Sequence, residues 1–206
     1  MINSALLSVF IPTFLFVSAT PGMCMTLALT LGMQIGVRRT LWMMAGELVA
    51  VGLVATAAVV GVAAIMLRYP EMFVVMKVAG GLYLAYLGFQ LWQSQGNMAI
   101  TLDQKPREIT AQALIAQGFM TAVANPKGWA FFIALLPPFI DPSKALAPQM
   151  MILLSLILLI EWLCLMGYAL GGRSLSRLLQ KSGNVVLMNR LAGSLMFAVA
   201  IWLMLS

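Results

Sequence analysis

Charge is scarce in this chain, histidine is absent, and cysteine occurs only twice. Asp, Glu, Lys and Arg make up 9% of the 206 residues, against roughly 25% in ordinary globular domains. So few charges cannot solvate a water-facing exterior, which excludes a soluble enzyme and a disordered chain. The lack of histidine removes histidine-held zinc, haem and Ser-His-Asp chemistry, so no catalytic residue, metal site or cofactor is assigned. Cys24 and Cys164 both lie in apolar runs and form no CxxC pair. They read as small packing residues, not as a disulfide framework. The start, Met1-Ile2-Asn3-Ser4, has no basic flank of the kind a cleavable signal peptide carries. The first apolar segment is therefore expected to stay in the mature protein.

What the chain has in excess is apolar surface, with 62% hydrophobic residues. A membrane span needs about 20 mostly apolar residues. Six segments qualify: Ala5–Leu31, Leu41–Leu67, Met72–Gln93, Ala113–Ile140, Met150–Leu170 and Val185–Leu205. The runs are continuously apolar, without the alternation of a transmembrane barrel. The predicted class is an all-α integral membrane protein, with residues 1–206 as a single polytopic domain.

The twelve basic residues set the expected topology. Eight of them, Arg38, Arg39, Lys105, Arg107, Arg173, Arg177, Lys181 and Arg190, lie in or beside the first, third and fifth inter-span regions. The positive-inside rule puts those regions in the cytoplasm and both termini outside. No basic cluster is interleaved with aromatics, so a nucleic-acid partner is not expected despite the net charge of +6. The longest polar stretch, the expected cytoplasmic loop 94–112, separates halves of roughly 1–93 and 113–206 with three spans each. An odd number of spans per half means that any repeat is inverted across the membrane.

Each half opens on a span with a break in it. Pro21-Gly22 interrupts the first and Asn125-Pro126 interrupts the fourth. Proline removes a backbone donor, and in hydrocarbon the freed carbonyl must find another partner. Such a break is either an ordinary kink packed on protein or the lining of a binding cavity, and two breaks at corresponding places favour the cavity. Lys127 follows directly, either as a cation that holds an anionic group of a substrate or as an anchor that snorkels to the interface. Glu47 and Glu161 are the carboxylates deep in apolar runs, each in the second span of its half. Proton coupling needs an intramembrane carboxylate that exchanges its proton; a structural ion pair with Lys127 or Arg38 is the other reading.

The remaining motifs read as packing. Gly80-Gly81 and Gly88 supply small residues for close helix approach. The seventeen methionines are scattered, which suits a pliable core better than a copper pathway. Trp42, Trp92, Trp129, Trp162 and Trp202 fall mostly toward span ends, as interfacial anchors do.

Taken together these residues resemble the LysE/RhtB amino-acid exporters of bacterial inner membranes, over nearly the whole chain. The resemblance rests on Thr20-Pro21-Gly22, on the run from Lys77 through Gly80-Gly81 to Gly88, and on Gly118-Phe119. Asn125-Pro126-Lys127 with Phe131-Phe132 and Pro137-Pro138-Phe139 is its most specific part; Trp162, Tyr168 and Asn189-Arg190 complete it. Met23 stands where the family often has a second proline. The resemblance implies a multi-pass inner-membrane protein that exports amino acids or small derivatives on the proton motive force, without an organic cofactor. The substrate-binding residues are then expected among Pro21, Gly22, Asn125, Pro126 and Lys127, and the proton-coupling residues are Glu47 and Glu161. The expected partners are a small-molecule substrate, protons and membrane lipid, with a homo-oligomer left open. A channel or metal-ion exporter is the alternative. A membrane thiol–disulfide oxidoreductase fits less well, because Cys24 and Cys164 do not occupy matching places in the two halves.

Overall fold

The computed structural model describes residues 4–68, 70–94, 109–136, 139–141, 144–180 and 182–205. The expected loop 94–112 lies outside the described residues over 95–108, as do Pro137 and Pro138. Among the described residues every regular element is a helix: α1 Ser4–Ala19, α2 Met23–Ile35, α3 Val37–Arg68, α4 Pro70–Gln93, α5 Ala111–Val123, α6 Pro126–Leu135, α7 Leu146–Gln180 and α8 Ser182–Leu205.

The six apolar segments fall on helices, and two of them are divided. The first, Ala5–Leu31, is α1 followed by α2, with the two axes bent by 56°. The fourth, Ala113–Ile140, is α5 followed by the ten-residue α6. Both divisions fall at the prolines, where an i→i−4 bond cannot form. Among the described residues, three helices contain segments long and apolar enough to cross a membrane: Val37–Gly61, Leu146–Gly172 and Gly183–Ile201. The bent pair Leu7–Ala19 with Met23–Ile35 makes a fourth if it is one span.

Two glycines in the left-handed region shape the chain path. Gly36, at φ 79°, turns α2 into α3. Gly172, at φ 43°, breaks α7 just where its apolar part gives way to Arg173-Ser174-Leu175-Ser176-Arg177. A side chain at either place would meet the Cβ penalty that glycine avoids.

The packing exchanges partners between the halves. The long α3 rests on α5 and α6, the long α7 rests on α1 and α2, and α4 lies along α8. Small residues allow these approaches. A Cβ on Gly46 would run into the Ile115 carbonyl, and one on Gly118 would run into the Met43 carbonyl, so α3 and α5 touch backbone to backbone. Likewise a Cβ on Gly88 would stand 2.9 Å from the Gly193 oxygen, and one on Gly193 would stand 2.6 Å from the Gly88 oxygen. This is the small-residue packing expected for Gly88, and it sets α4 against α8. Between α1 and α6 the core is aromatic: Phe14 lies 5.4 Å from Phe131 and 6.1 Å from Phe132, and beyond the end of α6 Phe139 meets Phe10 edge-on at 5.0 Å. These rings lie beside the place where both broken helix pairs come together.

Candidate functional site

Proline 21 determines the chemistry of the first break. In an uninterrupted helix the Val17 carbonyl would accept from the amide four residues on, but residue 21 has no N–H. The structure supplies a donor from the other half of the chain: Lys127 Nζ donates to the Val17 oxygen at 2.7 Å. Two residues later the Ala19 carbonyl accepts from the Tyr168 hydroxyl of α7 at 2.7 Å. Between them, Ser18 Oγ donates to Glu161 Oε2 at 2.6 Å. Three consecutive residues at the end of α1 are thus held by three side chains of α6 and α7. A cation at a helix C-terminus also suits the negative end of the helix dipole.

The second break is capped more locally. Asn125 is the N-cap of α6, where its Oδ1 accepts from the Lys127 amide at 3.2 Å, and Pro126 takes the first helical position. Proline is well placed there, since its missing N–H would have no intrahelical partner. The Val123 carbonyl at the end of α5 accepts from Trp129 Nε1 at 2.9 Å. Trp129 is therefore a half-buried cap of the break. Asn125 also reaches across to the other break, with Nδ2 3.8 Å from Cys24 Sγ near the start of α2.

A cavity of about 60 Å³ lies where the two breaks meet, with Val17, Ser18, Gly22, Asn125, Lys127 and Glu161 in its wall beside the Phe14, Phe131 and Phe132 rings. It has room for a few water molecules. Four of the seven expected site residues, Gly22, Asn125, Lys127 and Glu161, line it directly. Pro21 and Pro126 shape the backbone around it. Glu47 stands behind the wall: it is 1% exposed, faces the Cys24 thiol and the Glu161 carboxylate, and neither of its oxygens has a partner with hydrogen-bond geometry. Lys127 and Glu161 interact electrostatically without a direct ion pair. Among the described residues no group of three or more His, Cys, Asp and Glu could hold a metal ion, and Cys24 and Cys164 are free thiols.

Chemically the cavity offers an ammonium donor, a backbone acceptor released by a proline, and one carboxylate beside largely apolar walls, with the second carboxylate, Glu47, behind them. A polar solute crossing a bilayer needs such a set of groups at depth, where few intramembrane charges survive without a use. A family profile described as LysE type translocator matches residues 15–206. The chain belongs to that family. Translocators of this family are transporters, and this one is a multi-pass membrane transporter and not an enzyme. Among its relatives is an uncharacterised membrane protein of Vibrio cholerae, 26% identical over 186 residues, 90% of each chain. A homoserine/homoserine lactone efflux protein of Salmonella typhimurium is 26% identical over 190 residues, 92% of this chain and 91% of the relative. An uncharacterised membrane protein of Synechocystis is 29% identical over 140 residues, 66% of this chain and 65% of the relative. No solved structure matches this translocator.

Ser18, Tyr168 and the Val17 carbonyl were not singled out as site residues by the sequence reading. One of the three was accessible to it: counting four residues back from Pro21 identifies Val17 as the residue whose carbonyl loses its partner. Ser18 and Tyr168 carry no such local sign, because their partners lie 143 and 149 residues away.

Proposed function

We propose that this LysE-type translocator exports an amino acid or a small amino-acid derivative across the bacterial inner membrane, coupled to proton entry. In this reading the chain is two inverted halves, α1–α4 and α5–α8, with both termini periplasmic. The solute binds between the two broken helix pairs, and one half rocks against the other to open the cavity to either side. The observation that carries the reading is the Lys127–Val17 pair. It is a donor and an acceptor side by side in the wall of the cavity, which a zwitterion can replace by giving its carboxylate to Lys127 and its ammonium to Val17. The Asn125 side-chain Nδ2, which points across to the other break at Cys24, is a second donor for the anionic group, and Pro21 and Gly22 keep the acceptor end open.

The Salmonella typhimurium efflux relative supports this class of solute, since its name covers both homoserine and homoserine lactone. The lactone has no carboxylate, so what the two share is a primary amine beside a carbonyl. For such a solute Lys127 donates to the carbonyl oxygen, and the unpartnered Glu47 adds a second attraction for the ammonium behind Cys24. Glu161 and Glu47 are the proton-coupling groups. A proton arriving at Glu161 neutralises the acceptor of the Ser18 hydroxyl and weakens the hold on the end of α1.

Everted vesicles test the reading. Uptake of radiolabelled homoserine, which corresponds to export from the cell, is expected to require an imposed proton gradient and to collapse when that gradient is dissipated. Uptake unaffected by the gradient overturns the coupling. An absence of uptake across a panel of amino acids, homoserine lactone and amino-acid amides overturns the solute class.

A further inference from the structure

A second concave surface lies on the outside of the bundle, away from the transport cavity. It is a groove of about 530 Å³ between α3 and α5, formed by Ala45, Gly46, Val49, Ala116, Phe119 and Met120. The small residues make the floor, and Val49 and Met120, 58% and 61% exposed, make the lips. Its one polar lining residue, Gln112, is at the start of α5. Both helices begin at that end of the groove: Arg39 Nη2 donates to the Ile109 carbonyl at 2.6 Å, tying the start of α3 to the residue two before α5.

The same end carries positive charge. Arg38 and Arg39 are both exposed, and among the described residues neither is in an ion pair. Along α3, Arg38, Trp42, Ala45 and Val49 follow at spacings of four, three and four residues, which places them on one stripe of the helix. Trp42, between the arginine and the groove, is 51% exposed. From Arg38 to Val49 the helix rises about 16 Å, close to the roughly 15 Å depth of one leaflet's hydrocarbon. The stripe therefore runs from guanidinium through an indole, a residue type that favours headgroup depth, to an apolar trough that takes the upper part of an acyl chain.

We propose that this groove is a binding site for an anionic phospholipid, its phosphate on Arg38 and Arg39 and one acyl chain lying between α3 and α5. Guanidinium pairs with phosphate through two parallel charge-assisted hydrogen bonds, and the free amides at the start of α3 add to the attraction. A second copy of the chain is the poorer occupant. Two copies in one membrane stand the same way up, so a two-fold contact through this groove would bring their arginine pairs together at the same depth. The lipid holds the first turns of α3 and α5 together, and α3 carries Glu47.

Native mass spectrometry of the full chain in neutral detergent tests the site, with phosphatidylglycerol, phosphatidylcholine of the same acyl chains, and inorganic phosphate as probes. The wild type is expected to retain phosphatidylglycerol at least about fivefold better than phosphatidylcholine. Arg38→Gln is expected to abolish that preference, and Arg38→Lys to keep part of it. Ala116→Phe, which fills the trough, is expected to displace both lipids, and phosphate alone is expected not to bind measurably. Equal retention of the two lipids by the wild type overturns the proposal, as does an unchanged preference in Arg38→Gln. A dimer that Ala116→Phe dissociates without altering lipid retention assigns the groove to a second copy and overturns it too.

Discussion

Replacing Lys127 separates two roles that its ammonium fills at once. One is structural: Nζ donates at 2.7 Å to the Val17 carbonyl that Pro21 leaves without an amide. The other is the proposed hold on the solute's carboxylate. Lys127→Gln removes the charge and keeps a donor, whereas Lys127→Met removes both. An orphaned buried carbonyl costs about 1–3 kcal/mol, so Lys127→Met is expected to lose stability on that scale and Lys127→Gln less. A hydrogen bond to a charged group contributes about 1.5–3 kcal/mol, which corresponds to roughly ten- to hundredfold in affinity. Both variants are therefore expected to lose a ten- to hundredfold preference for an amino acid over its neutral amide. Lys127→Arg keeps the charge on a wider, planar head and is expected to retain the preference with weaker binding. The assays are the thermal midpoint in detergent and competition by amino acid and amide in vesicle transport. Should Lys127→Gln keep the wild-type preference while Lys127→Met unfolds, the ammonium is a helix cap alone, and the proposed carboxylate site is wrong.

Three further outcomes can be checked separately. Glu161→Gln and Glu47→Gln are expected to insert normally and to flatten the pH dependence of export, since an amide can still accept from Ser18 but cannot carry the proton; unchanged pH profiles in both variants leave the carboxylates as structural groups. Gly118→Ala is expected to lower the yield of folded protein sharply, because its Cβ would strike the Met43 carbonyl and stand 3.1 Å from the Glu47 amide nitrogen. Overpacking of this kind costs about 1–3 kcal/mol or more, and a wild-type melting temperature in this variant would contradict the backbone contact of α3 and α5. Reporter fusions at Ser206 and within the loop 94–112 are expected to report opposite compartments, with Ser206 periplasmic; a cytoplasmic Ser206 reverses the topology.

The sequence alone determined what depends on composition and on near neighbours. Continuous apolar runs with few charges can be stable only where water is absent, so the membrane setting and the approximate helices were legible without coordinates. Proline acts within four residues of itself, so the breaks at Pro21 and Pro126 were legible too. What only the tertiary structure decided is how the polar groups freed by those breaks are satisfied. Nothing local to Val17, Ser18 or Ala19 names Lys127, Glu161 and Tyr168 as their partners, since the separations are 110, 143 and 149 residues. The same holds for Trp129, whose indole caps the Val123 carbonyl. It holds also for Glu47, which the apolar pattern marked as costly but whose isolation behind Cys24 depends on how closely Gly46 and Gly118 bring α3 and α5 together. A hydrogen bond to a freed carbonyl requires only a donor within reach, and which donor comes within reach is settled by helix packing across the two halves, not by the order of residues along either one.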